Sequence, residues 1–142
     1  MAPISLLLVD DNANFLRLVS RFLREQYPDG VVVVGIAEGG EAGLAQAQAL
    51  RPDVVLIDLA MPGLPGLKAI PFLRAALPNL GIIALTLMEP TGYRQAALAG
   101  GADEFVSKAT LTSDLLPAIR RVWQFGRRGR GPIDGHSLER EP

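Results

Sequence analysis

Residues 54–57, Val-Val-Leu-Ile, place four apolar side chains in a row, and the run stops at Asp58. An unbroken apolar run this short reads as a strand buried on both faces, and such strands belong to parallel sheets covered by helices on each side. A carboxylate does not stay unpaired inside such a strand. Asp58 is therefore expected at the strand's carboxyl end, where the chain emerges into the loop Met61-Pro62-Gly63 and Pro65-Gly66. Proline presets φ in this loop, and glycine permits φ > 0. In open parallel sheets, ligands bind just outside those strand ends.

The same design recurs along the chain. Strands are expected at Ile4–Val9, Val31–Ala37, Gly81–Thr86 and 103–107. Helix-length segments follow each strand. The first, about 12–26, is capped by Asn12 or Asp11 and carries Phe15, Leu18, Val19, Phe22 and Leu23 on one face. The second spans about Gly40–Leu50. The third lies within 67–77, where Pro71 is expected to delay or kink it. The fourth opens on Pro90 and closes before Gly100-Gly101. The fifth starts among Thr112 to Asp114, with Pro117 in or just after its first turn. Leu115, Leu116, Ile119, Val122 and Trp123 form its inner face, and Trp123 and Phe125 are candidates for a dimer contact. Five βα units argue for a doubly wound parallel sheet in an α/β/α sandwich, with strand order 2-1-3-4-5.

The chain has 142 residues, 49% of them hydrophobic and 20% charged, which suits one globular domain with a real core. The expected domain covers 1–125; residues 126–142, with an arginine cluster and little apolar content, read as a flexible tail or the start of a linker. A formal charge of −1 gives no overall pull toward nucleic acid or membrane. Cysteine is absent and the one histidine, His136, lies in the tail, which excludes thiolate and histidine-rich metal chemistry. No membrane span or secretory signal is legible, so a cytoplasmic protein is expected.

Four strands end in polar groups: Asp10-Asp11, Asp58, Thr86 and Lys108. All four ends should meet at one edge of the sheet. Three carboxylates held together repel one another, and a divalent cation relieves this. Oxygen ligands without histidine or cysteine favour Mg²⁺ or Mn²⁺. Lys108 and the Thr86 hydroxyl suit an anionic tetrahedral group. An exposed carboxylate beside a metal can attack phosphorus and form an acyl phosphate. Each residue also has a plainer reading: Asp10-Asp11 as a helix cap, Asp58 as a turn residue, Thr86 as a strand end, and Lys108 as a surface lysine.

Taken together, these residues resemble a receiver domain of a two-component response regulator over roughly residues 4–125. The run Arg51-Pro-Asp-Val-Val-Leu-Ile-Asp-Leu-Ala-Met-Pro-Gly63 is most similar to the NarL/FixJ-type subfamily. The resemblance implies the flavodoxin-like (CheY-like) fold. It also implies Asp58 as phosphoacceptor, Asp10 and Asp11 as metal ligands with the backbone carbonyl of Ala60, Thr86 as switch hydroxyl and Lys108 as phosphate partner. Phe105 matches the aromatic switch position, with core filling as its rival reading. A histidine kinase or phosphotransfer protein is the implied phosphodonor, and the surface of helix four, strand five and helix five is the implied output face. Such a chain is a phosphoacceptor rather than an enzyme. DNA binding would fall to a helix-turn-helix effector that does not follow within these residues.

Three positions depart from the family pattern. Ala109 follows Lys108 where proline is common, which agrees with the NarL-type subfamily and predicts a trans bond. Ala60 lacks a side chain able to order water, and Leu87 is bulky enough to narrow access or restrain Phe105. These departures leave open a constitutive interaction module with the same fold. A hydrolase using Asp58 as covalent nucleophile is less well served, because Ala60 stands where a second acid would be needed.

Overall fold

A computed structural model of the chain describes residues 2–87 and 91–126. The elements run β1 (Ile4–Val9), α1 (Ala13–Gln26), β2 (Val31–Ala37), α2 (Gly40–Leu50), β3 (Val54–Asp58), α3 (Gly66–Ala76), β4 (Gly81–Thr86), α4 (Thr91–Gly100), β5 (Glu104–Ser107) and α5 (Leu111–Arg121). The strands form one parallel sheet in the order β2-β1-β3-β4-β5. This is the expected doubly wound architecture, with β1 and β3 adjacent at the point where the strand order reverses.

Two apolar layers sandwich the sheet. On one face, Leu6, Leu8, Leu56, Ile83 and Leu85 meet Leu16, Val19 and Leu23 of α1 and Leu115, Ala118 and Ile119 of α5. On the other, Leu7, Val9, Val55, Ile57, Ile82 and Ala84 meet Ala47 of α2, Ala69, Ile70 and Leu73 of α3, and Ala97 of α4. All five residues of β3 are buried, as a central parallel strand requires.

Three helices differ in detail from the expectation. In α1 the buried positions are Leu16, Val19 and Leu23, whereas Leu18 is 65% exposed. Phe15 and Phe22 flank the stripe as half-buried residues, so the face is turned one column toward Leu16. The spacing of apolar residues fits both settings, and packing against β1 chooses between them. α3 runs unbroken through Pro71, which is exposed. An interior proline costs about 3 kcal/mol. Burial of Ile70 and Leu73, at about 1.5–3 kcal/mol for each large apolar side chain, is enough to offset it. α5 begins at Leu111, after a 3₁₀ turn over Lys108–Thr110, and Pro117 falls in its second turn. Its expected inner face holds: Leu115, Ile119 and Val122 are buried, and Leu116 and Trp123 half-buried. The expected helix start at Pro90, the side chain of Phe125 and the tail from residue 127 lie outside the described residues.

Arg74, near the end of α3, fastens the α4–β5 corner. Its guanidinium donates to the Gly101 carbonyl at 2.8 and 3.2 Å, to the Leu80 carbonyl at 2.5 Å, and to Asp103 at 2.9 Å. Asp103 also accepts from the Ile82 N–H at 2.8 Å. At the other end of β3, Gly66 lets α3 begin hard against the strand. A Cβ on Gly66 would lie 2.0 Å from the Asp58 carbonyl oxygen. Gly66→Ala should therefore lower the urea midpoint by the equivalent of about 1–3 kcal/mol. Gly39→Ala, where a Cβ would meet nothing within 4 Å, should shift it far less; equal shifts would show that the close approach at Gly66 is not limiting.

Candidate functional site

The carboxyl ends of β1, β3 and β5 converge. Asp10 follows β1, is 1% exposed, and is held by its N–H donating to the Ala37 carbonyl at 3.0 Å. Its Oδ1 accepts from the Asn12 N–H at 2.9 Å. Asn12 itself caps α1, accepting from the Phe15 N–H at 3.1 Å. The cap thus falls to Asn12 rather than Asp11, and the two aspartates are left to face the pocket. Asp58 closes β3 and is 6% exposed. Asp10, Asp11 and Asp58 each bring one carboxylate oxygen to within 4.8 Å of the others.

Lys108 enters from β5. Ser107 turns the chain by accepting from the Ala109 N–H at 3.1 Å, and the Lys108–Ala109 bond is trans. The Lys108 ammonium lies 2.5 Å from Asp10 Oδ2 and 3.6 Å from Asp58 Oδ2. It also sits 4.2 Å from the centroid of the Phe15 ring, whose negative face attracts a cation. Nothing in the sequence pairs Phe15 with Lys108; its place on the apolar stripe suggested packing alone.

One ammonium facing three carboxylates leaves two negative charges uncompensated. Burial raises the Asp58 pKa; Lys108 opposes this, Asp10 and Asp11 add to it, and the Ala60 N–H, 3.5 Å from Oδ1, counters it weakly. The donor set is all oxygen and strongly anionic, which fits a hard divalent cation such as Mg²⁺.

Thr86 ends β4 and is buried. The register sets Ala84 opposite Phe105 and Thr86 opposite Ser107, so the side chains of Thr86 and Phe105 share one face of the sheet. Phe105 is half-buried against the α3–α4 layer, with the Arg94 guanidinium 5.7 Å from its centroid. The Arg94 contact had no signal in the sequence. Leu87 is 72% exposed, so it has little packing with which to restrain Phe105. Ala60 is exposed, and an open cavity of about 460 Å³ adjoins it and Thr86.

A buried acid pair, a third carboxylate and a lysine at the carboxyl edge of a 2-1-3-4-5 sheet define a class of signalling domain. The response regulator receiver domain family matches residues 6–120, and the chain belongs to that family. It is 36% identical over 120 residues to the response regulator GacA of Pseudomonas viridiflava, covering 84% of this chain and 55% of that protein. It is 35% identical over 120 residues to the nitrate/nitrite response regulator protein NarL of Escherichia coli K12, again covering 84% and 55%. The response regulator domain of Thermotoga maritima CheB matches with a TM-score of 0.75 at 30% identity, covering 85% of this chain and 96% of that one. The relatives are of the NarL/FixJ type and the structural neighbours are CheY-like receivers. The chain spans about half the length of the two curated relatives. Among the described residues, no helix is long and apolar enough to cross a membrane.

The raised Asp58 pKa has a sign that can be measured. The folded state binds the Asp58 proton more tightly than the unfolded chain, so this group lowers stability as pH rises through that window. Asp58→Asn should raise Tm at pH 7 in metal-free buffer, with the gain vanishing below the ordinary carboxylate pKa. A lower Tm at pH 7 would contradict the direction.

Proposed function

We propose that this receiver domain accepts a phosphoryl group on Asp58 and thereby switches its α4–β5–α5 face. The observation that carries the reading is the convergence of Asp10, Asp11 and Asp58 within 4.8 Å, with the Lys108 ammonium 3.6 Å from Asp58. A carboxylate oxygen of Asp58 attacks phosphorus, and the bond from phosphorus to the donor breaks. Lys108 lies close enough to Asp58 to neutralise charge on the arriving phosphoryl oxygens. Asp10, Asp11, Asp58 and the Ala60 carbonyl would hold Mg²⁺, which supplies the remaining positive charge when bound.

The switch is a population shift between two packings. The Thr86 hydroxyl closes on the phosphoryl oxygens, and Phe105, on the same sheet face, follows inward, exchanging its contact with Arg94 for burial. The donor is a histidine kinase or phosphotransfer protein, in keeping with the family. A groove of about 420 Å³ between α1 and the Lys108–Thr112 segment borders the site and offers it apolar contact at Phe15, Leu18 and Phe22. We place the chain in the cytoplasm and assign any DNA contact to an effector beyond the described residues.

Incubation with acetyl phosphate and Mg²⁺ should add the mass of one phosphoryl group, and Asp58→Asn should abolish it. Label that persists in the variant would overturn the assignment. Calorimetric titration with Mg²⁺ should give a saturable response, weakened at least tenfold by Asp11→Ala. An unchanged titration would remove Asp11 from the metal site and favour a module that works without phosphorylation.

A further inference from the structure

Lys108 is fixed at its backbone and loose along its side chain. Ser107 pins the turn by accepting from the Ala109 N–H. From there a flexible four-carbon stem carries the ammonium into the pocket. The side chain is 8% exposed, so its charge has to be met by neighbours rather than by water. Two of those neighbours are carboxylates: Asp10 at 2.5 Å, and Asp58 at 3.6 Å, beyond hydrogen-bond reach. The third is the ring of Phe15, its centroid 4.2 Å away. A single turn delivers Asp10 and Phe15 together. The Asn12 N–H donates to Asp10 Oδ1 at 2.9 Å, and the Asn12 side chain accepts from the Phe15 N–H at 3.1 Å. The cap of α1 therefore sets both the acid and the ring that meet the ammonium.

We propose that Phe15 is a positioning residue for Lys108: the face of its ring keeps the ammonium in the pocket, turned toward the phosphoryl group that Asp58 receives; this rests on the phosphoacceptor reading of Asp58. The Asp10 and Asp58 carboxylates both belong to the cluster suited to a cation, so each would divide its charge between that ion and the ammonium. The Phe15 ring stands outside that cluster, and its hold on Lys108 is not shared. A leucine at this position would satisfy the apolar stripe of α1, but it has no negative face to hold a cation. Without the ring the stem is free to take other rotamers. An ammonium in place only part of the time lowers the rate by that fraction.

The chain holds two lysines, Lys68 and Lys108, and Lys68 is exposed. The full chain labelled with ¹³C at lysine Cε therefore gives two NMR signals, assigned by Lys68→Arg, with Lys68 as internal reference. The Lys108 ε-protons should lie upfield of those of Lys68, as protons above a ring face do, and should move back toward them in Phe15→Leu. Initial rates of Asp58 phosphorylation by acetyl phosphate with Mg²⁺, read by intact mass, should fall about threefold to thirtyfold in Phe15→Leu, the range of a cation–π contact held away from water. Phe15→Tyr, which keeps the ring, should recover both the shift and the rate. Lys108 protons that are not shifted upfield in the unaltered chain would overturn the contact. If Phe15→Leu and Phe15→Tyr lose rate equally, or neither loses any, the positioning role is wrong and the phosphoacceptor reading stands. If the unaltered chain takes no phosphoryl group, that reading falls and the role of Phe15 falls with it.

Discussion

Mutual repulsion among Asp10, Asp11 and Asp58, only partly offset by the Lys108 ammonium, is the constraint on which this molecule turns. A parallel sheet delivers all of these groups to one edge because its strands point the same way. Asp10 and Asp58 are both nearly buried, so water screens little of the repulsion. The pocket is thus an unbalanced negative charge, and its oxygen donors suit a hard divalent cation. The stored electrostatic strain lies on the side of function rather than of stability.

The rest of the fold serves to hold that edge in place. β3 is packed on both faces, so Asp58 cannot retreat along its own strand. Gly66 brings α3 against the Asp58 carbonyl, fixing the turn that follows. The corner between α4 and β5 is tied through Arg74 and Asp103 to α3 and β4. That anchor holds the carboxyl end of α4, far along the helix from Thr86. Toward the opposite end of α4, Thr86 and Tyr93 line a common cavity.

Much of this was legible in residues alone, for identifiable reasons. Four strand tips end in acids, a hydroxyl or an ammonium because only strand tips can carry such groups at the boundary of a dry core. Asn12, by contrast, could not be told from Asp11 as the α1 cap, since both side chains can accept the same bonds. Leu18 matched the helical period as well as Leu16, and the difference lay in which column met β1. Pro71 signalled a late start or a kink, yet α3 already begins at Gly66 and continues through it, because burial of its neighbours offsets the lost hydrogen bond.

Sequence by itself determined the order of elements, the parallel topology and the identity of the pocket's charged groups. Each of these follows from local apolar runs and from the cost of burying a charge. Only the tertiary structure decided that Phe15 lies under the Lys108 ammonium, that Arg94 stacks on Phe105, and that Arg74 spans from α3 to Gly101. These contacts join residues from separate βα units. Their geometry depends on how helices settle against a twisted sheet, and no periodicity within a single segment records that.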